Sequence, residues 1–226
     1  MKDVFVYWIE VPEKFEVDSL VNYFLDEIEK ERYYSYLNPK KAEEFLLGRV
    51  LLKWALSKHT RESIHEISLQ ADKYGKLAHK DRITPFFNLT HSENMIACIL
   101  SENGKVGVDL EFIPYESLEV MDLVFNNREK AFVLAERSIN KRKEAFYLVW
   151  TRKEAFMKAI GKGFSLNPKA IDIPTNYESS RKGGFSYFSF KFHEDYLLSL
   201  AYEGNLDKEH LHIEKVFLKQ LEKILN

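Results

Sequence analysis

A chain of 226 residues with 45% hydrophobic and 14% aromatic content can build one substantial core, or two small ones in close contact. Lysine and arginine number 33 against 35 acidic residues, so nothing global favours nucleic acid or an anionic membrane as partner, and any anion site must be local. The lone Cys98 excludes an intramolecular disulfide framework and a thiolate metal cluster, and its place in the apolar run 95–100 marks it as core.

The start, Met1-Lys2-Asp3-Val4, lacks the charged-then-apolar layout of a signal peptide, and no apolar run approaches the ~20 residues of a membrane span, so a cytoplasmic protein is expected. Val4 to Ile9 reads as a strand stopped by Pro12. Val17 to Tyr36 has helical spacing at Leu20, Phe24 and Ile28. Asn38 as N-cap and Pro39 at the first helical position predict a helix to about His59, on which Arg49 and Lys53 make a basic step one turn apart; by spacing alone that step reads as a solvated face. Ile67 to Leu69 reads as a brief strand and Tyr74-Gly75-Lys76 as the turn after it. Phe86 to Ser92 and Met95 to Leu100 form an antiparallel pair, and Asn103-Gly104 signals a hairpin into a third strand, Lys105 to Phe112, beside them, with His91 near Asp109. Pro114 ends that strand. Glu129 reads as an exposed carboxylate at a helix start. Lys141 to Ile160 predicts a long, largely buried helix stopped by Gly161. A hairpin over 187–200 and a closing amphipathic helix over 213–225 complete the chain.

Two stretches carry chemistry. In Lys105 to Phe112 alternation puts Val106, Val108, Leu110 and Phe112 on one face and Gly107, Asp109 and Glu111 on the other, the two carboxylates about 6.6 Å apart at their Cα atoms. In Trp150-Thr151-Arg152-Lys153-Glu154-Ala155-Phe156-Met157-Lys158 the helical period sets Trp150, Glu154 and Lys158 on one face. Three carboxylates and one ammonium suit a hard divalent ion; they suit equally an ion-pair network joining strand and helix.

G-V-D-L-E followed some forty residues later by W-T-R-K-E-A-F-M-K resembles the signature of the Sfp-type 4′-phosphopantetheinyl transferases. The resemblance implies an α+β fold of two similar halves packed as a pseudodimer, residues 1–105 and 106–226, with the substrate between them. It implies transfer of the 4′-phosphopantetheinyl group of coenzyme A to a serine of an apo acyl or peptidyl carrier protein, with Mg2+ held by Asp109, Glu111 and Glu154. Glu154 and Lys158 would be catalytic, Glu154 as base, ligand or both. F-L-L-G-R resembles the family helix whose Arg binds the 3′-phosphate of coenzyme A, which maps onto Arg49. F-N-L-T-H-S resembles the segment that contacts the phosphates of coenzyme A, which maps onto Thr90 and His91; Lys158 joins them. Family members show G-K-P where this chain has Gly75-Lys76-Leu77, so Lys76 carries over without the proline that fixes its loop. Two halves already supply a complete site, so a monomer is expected. Lys141, Arg142, Lys143 and Lys162 flank the long helix and either meet an acidic carrier helix or are a solvated helix end. A magnesium-dependent phosphohydrolase acting on coenzyme A and a non-catalytic coenzyme A or carrier-binding module are the competing classes.

Overall fold

The computed structural model describes residues 3–113, 120–192 and 195–225, less the side chain of residue 164. The chain divides into two compact units, residues 1–103 with 208–226 and residues 104–207. The expected second half, 106–226, therefore loses its tail to the first. The cause is β10 (Leu211–Lys215), which pairs in parallel with β1 (Val4–Glu10), Val4 opposite Leu211. The expected closing helix over 213–225 is this strand followed by a short α7 (Leu218–Glu222). Main-chain bonding to the edge of β1, continued by Val216 N donating to Trp8 O at 2.8 Å, wins over helical spacing there.

In the first unit a sheet of order β10-β1-β5-β4 lies against α3 (Pro39–Thr60), with β4 spanning Phe86–Ser92 and β5 Met95–Ser101. All seven residues of β5 are buried. Leu46, Leu47, Val50 and Leu51 of α3 join Tyr7, Ile9, Ile96, Cys98 and Leu100 in one core. Asn38 caps α3 by accepting from Lys40 N at 3.0 Å. The single helix expected over 17–36 is two, α1 (Asp18–Phe24) and α2 (Glu27–Tyr34). Asp26 breaks it, because its side chain accepts from Glu29 N at 2.8 Å while the Glu29 carboxylate accepts from Asp26 N at 3.3 Å, a capping box that starts a new helix and leaves Ile28 78% exposed. The brief strand expected at 67–69 falls two residues later, as β2 (Leu69–Ala71), paired with β3 (Leu77–His79).

The second unit repeats the plan. Its sheet runs β6-β9-β8-β7, from β6 (Val106–Phe112), β7 (Ser180–Lys182), β8 (Phe185–Phe192) and β9 (Tyr196–Glu203), against the equally long α6 (Ile139–Ile160). Two short helices, α4 (Met121–Val124) and α5 (Asn127–Leu134), precede α6. The third strand expected beside β4 and β5 is thus in a different sheet, bonded to β9, and the sheet adjacency expected for His91 and Asp109 is absent. Gly104 explains the misreading: a Cβ there would lie 2.5 Å from the Glu203 carbonyl oxygen, so the glycine admits β9 and does not turn a hairpin. No helix among the described residues is long and apolar enough to cross a membrane.

Candidate active site

The β6 pleat turns Gly107, Asp109 and Glu111 toward α6. A Cβ on Gly107 would stand 2.0 Å from Ala155 O and 2.5 Å from Ala159 N, so only glycine lets the strand backbone rest on the helix. Ala155 and Ala159, both fully buried, keep the helix side of that contact equally small. Close approach brings the polar side chains together. Lys158 Nζ donates to Asp109 Oδ1 at 2.6 Å, and Trp150 Nε1 donates to Glu111 Oε1 at 3.1 Å. Glu154 lies on α6 one turn from each of these donors. Its carboxyl is pushed up to about 7, first by burial, then by the negative charge of Asp109, with Lys158 opposing and Glu111 adding. The three carboxylates and the ammonium inferred from spacing therefore act on one another.

Among the described residues no three His, Cys, Asp or Glu side chains stand close enough to hold a metal ion as they are. The donor chemistry nevertheless fits a hard dication. All three are oxygen donors, and their repulsion, visible in Glu154, is what a dication would relieve.

The remaining face of α6 is anchored below the site. Lys153 Nζ meets Glu129 Oε2 at 2.9 Å and donates to Pro168 O and Ile171 O, both at 2.6 Å. Glu129 is fully buried, which corrects the expected exposed helix-start carboxylate. Burial pushes Glu129 up and Lys153 down, so the pair persists through its hydrogen bonds, Glu129 also closing a capping box with Asn126. The signal was in the sequence as Asn126-x-x-Glu129, matching Asp26-x-x-Glu29.

The other expected residues lie in the first unit. Arg49 and Lys53 are 6% and 2% exposed, not a solvated face. Both bind Glu29, Arg49 Nε at 2.9 Å and Lys53 Nζ at 2.6 Å. Arg49 and Arg32 both stand over the Phe45 ring, at 4.7 and 5.2 Å, and burial pushes the Arg49 guanidinium down. Lys76 sits in the β2–β3 turn, where Gly75 has φ +83° and the Asp72 carboxylate accepts from Tyr74 N at 2.8 Å and Lys76 N at 3.0 Å. Asp72 thus fixes the loop that lacks proline. Thr90 and His91 follow one another on β4 and so face opposite ways: Thr90 is buried, while the half-exposed His91 places Nδ1 3.5 Å from Glu44 Oε2.

Residues 105–202 match the family described as the 4'-phosphopantetheinyl transferase superfamily. The chain is 27% identical to the 4'-phosphopantetheinyl transferase gsp of Aneurinibacillus migulanus over 85% of this chain and 83% of that one. It is 30% identical to the 4'-phosphopantetheinyl transferase Sfp of Bacillus subtilis over 63% of this chain and 68% of that one. Identity to the 4'-phosphopantetheinyl transferase AcpT of Salmonella typhi is 39%, over 52% and 58%. The chain belongs to the 4'-phosphopantetheinyl transferase superfamily.

Proposed function

We propose that this protein transfers the 4′-phosphopantetheinyl group of coenzyme A to a serine of an apo acyl or peptidyl carrier protein, releasing adenosine 3′,5′-bisphosphate. The observation that carries the assignment of the site is the Glu154 carboxyl, held near neutrality by burial and by Asp109 beside an ammonium that already binds Asp109. Glu154, on the face of α6 between Trp150 and Lys158 and beside Asp109, is read as base, metal ligand or both; as base it accepts the serine proton as the serine oxygen bonds to phosphorus and the bond to the nucleotide phosphate breaks. Lys158 offsets the negative charge of the diphosphate. Asp109, Glu111 and Glu154 are the side chains that would hold Mg2+, which when bound supplies a clamp on the diphosphate oxygens.

Coenzyme A contacts are assigned to Arg49, Lys76, Thr90 and His91. Supporting Arg49, one carboxylate, Glu29, serves two cations, which leaves surplus positive charge suited to a phosphate. We read the protein as a cytoplasmic monomer. Intact-protein mass spectrometry of an apo acyl carrier protein incubated with this protein, coenzyme A and Mg2+ is the test. The carrier should gain one phosphopantetheinyl group, and should not when chelator replaces Mg2+. Release of phosphopantetheine with an unmodified carrier would instead identify a phosphohydrolase.

A further inference from the structure

Beneath the carboxylates runs a polar chain, buried except at the partly exposed Ser189, that leaves α6 and returns to it. Arg152 is fully buried and is the largest side chain so enclosed among the described residues. Its guanidinium donates to Ser189 Oγ on β8 at 2.9 Å and to the carbonyls of Pro174, Asn176 and Glu178 at 2.9, 2.8 and 2.9 Å. From Ser189 the chain passes to Ser199 Oγ on β9 at 2.7 Å, to Thr151 Oγ1 at 2.7 Å, and ends on Tyr147 O at 2.7 Å.

Proton counting fixes its direction. A hydroxyl has one proton to give, and a carbonyl can only accept, so Thr151 spends its proton on Tyr147 O. Ser199 must then donate to Thr151, and Ser189 to Ser199. Ser189 in turn accepts from the Arg152 Nε–H. Every bond in the series points the same way, from a buried cation to a helix carbonyl, the arrangement in which successive hydrogen bonds reinforce one another. The middle hydroxyl is significant: Ser199 is the residue paired directly across from Asp109.

We propose that Arg152 and Ser199 are positioning residues, and that this circuit locks α6 in the register on the sheet that sets Glu154 and Lys158 against Asp109. The inference rests on reading those three residues as the transfer site. Shear of the helix along the sheet would break the circuit at Thr151–Ser199 before it altered the apolar packing, because hydrogen bonds tolerate displacement less than dispersion contacts do.

The decisive variant is Ser199→Ala. It adds no bulk and leaves Thr151 bonded to Tyr147 O and Ser189 bonded to Arg152. Assayed well below its melting midpoint with saturating Mg2+ and carrier, it should lower kcat on the order of tenfold and leave KM for coenzyme A within about twofold. Arg152→Lys, which keeps the charge but loses the Nε–H, should reproduce that split. A second readout needs no turnover. In metal-free protein, the melting shifts of Asp109→Ala, Lys158→Ala and their double variant should be less coupled in the Ser199→Ala background than in wild type. A lowered melting midpoint with unchanged kcat and unchanged coupling would overturn the proposal and leave the circuit a structural staple. Asp109→Ala run beside these separates the two failures. If it transfers at the wild-type rate, the site reading fails; if it is inactive while Ser199→Ala is normal, only the positioning role fails.

Discussion

The two units build the same frame and fill its centre differently. Each has a strand, two short helices, a long helix of 22 residues and a hairpin whose second strand pairs with the first strand, giving β1-β5-β4 and β6-β9-β8. Glu29 and Glu129 close equivalent capping boxes, and each carboxylate takes the Lys found at the same turn of the long helix, Lys53 or Lys153. Five residues further along those helices stand Lys58 and Lys158. Here the units part. Lys158 meets a carboxylate on the first strand of its unit, whereas Lys58 stands over the rings of Tyr7 and Trp54, at 4.8 and 4.9 Å, and takes the half-exposed Glu214 of β10 at 2.9 Å. Trp54 occupies the helix position that Glu154 holds in the other unit, directly after the anchoring lysine. One frame therefore supports a cluster of buried carboxylates around an ammonium or a largely aromatic setting for one, and in the former burial, with the charge of Asp109 added, raises a carboxyl to about 7.

The sharpest way to break this comparison is at the glycines. Gly107→Ala forces a Cβ onto helix backbone 2.0 Å away, which cannot yield as a side chain can, and should cost about 3 kcal/mol of stability or more, with transfer lost in whatever folds. Gly48→Ala, in α3 of the first unit, meets only the Leu89 Cδ2 at 3.1 Å and gains helix propensity, so its urea midpoint should stay near or above wild type. Equal losses would mean that strand–helix contact in the second unit is no closer than in the first.

The carboxylate cluster also predicts a pH signature. A folded-state value of about 7 for Glu154, above its unfolded value, means the folded protein binds the extra proton. Metal-free stability should therefore fall as pH rises from about 4.5 to about 7, and level off above. Glu154→Gln should remove that descent, melting higher than wild type at pH 8 and near it at pH 4.5; a parallel pair of pH profiles would contradict the shift.

The smallest effect concerns the acceptor. Lys141 is held by Glu144 at 2.8 Å, and Glu144 also takes Lys191, so the basic patch at the start of α6 is partly neutralised. Reversing the charges of Lys141, Arg142 and Lys143 should flatten the slowing of transfer by added salt by a few-fold at most. An unchanged salt profile would remove the patch from the carrier surface.

The carboxylate cluster was legible in the sequence because it is local: alternation in Val106 to Phe112 and the helical period of Trp150, Glu154 and Lys158 each place side chains within one element. What joins elements was not. The Glu29 and Glu129 anchors needed the knowledge that a capping-box carboxylate can be buried against a lysine 24 residues on, and by sequence alone it looks solvated. The strand β10 carries a helical spacing that only the free edge of β1 overrides. The internal repeat hid because few positions are shared outright, among them Glu29-Lys30 with Glu129-Lys130 and the lysines of Lys53 to Lys58 with those of Lys153 to Lys158.

The claim that the chemistry belongs to the second unit's cluster is tested most directly by removing its ammonium and its counterpart in the same assay. Initial rates of carrier modification, read by intact mass at saturating coenzyme A and Mg2+, should fall on the order of a hundredfold for Lys158→Ala and by no more than about twofold for Lys58→Ala. Comparable losses in both, or none in Lys158→Ala, would contradict it.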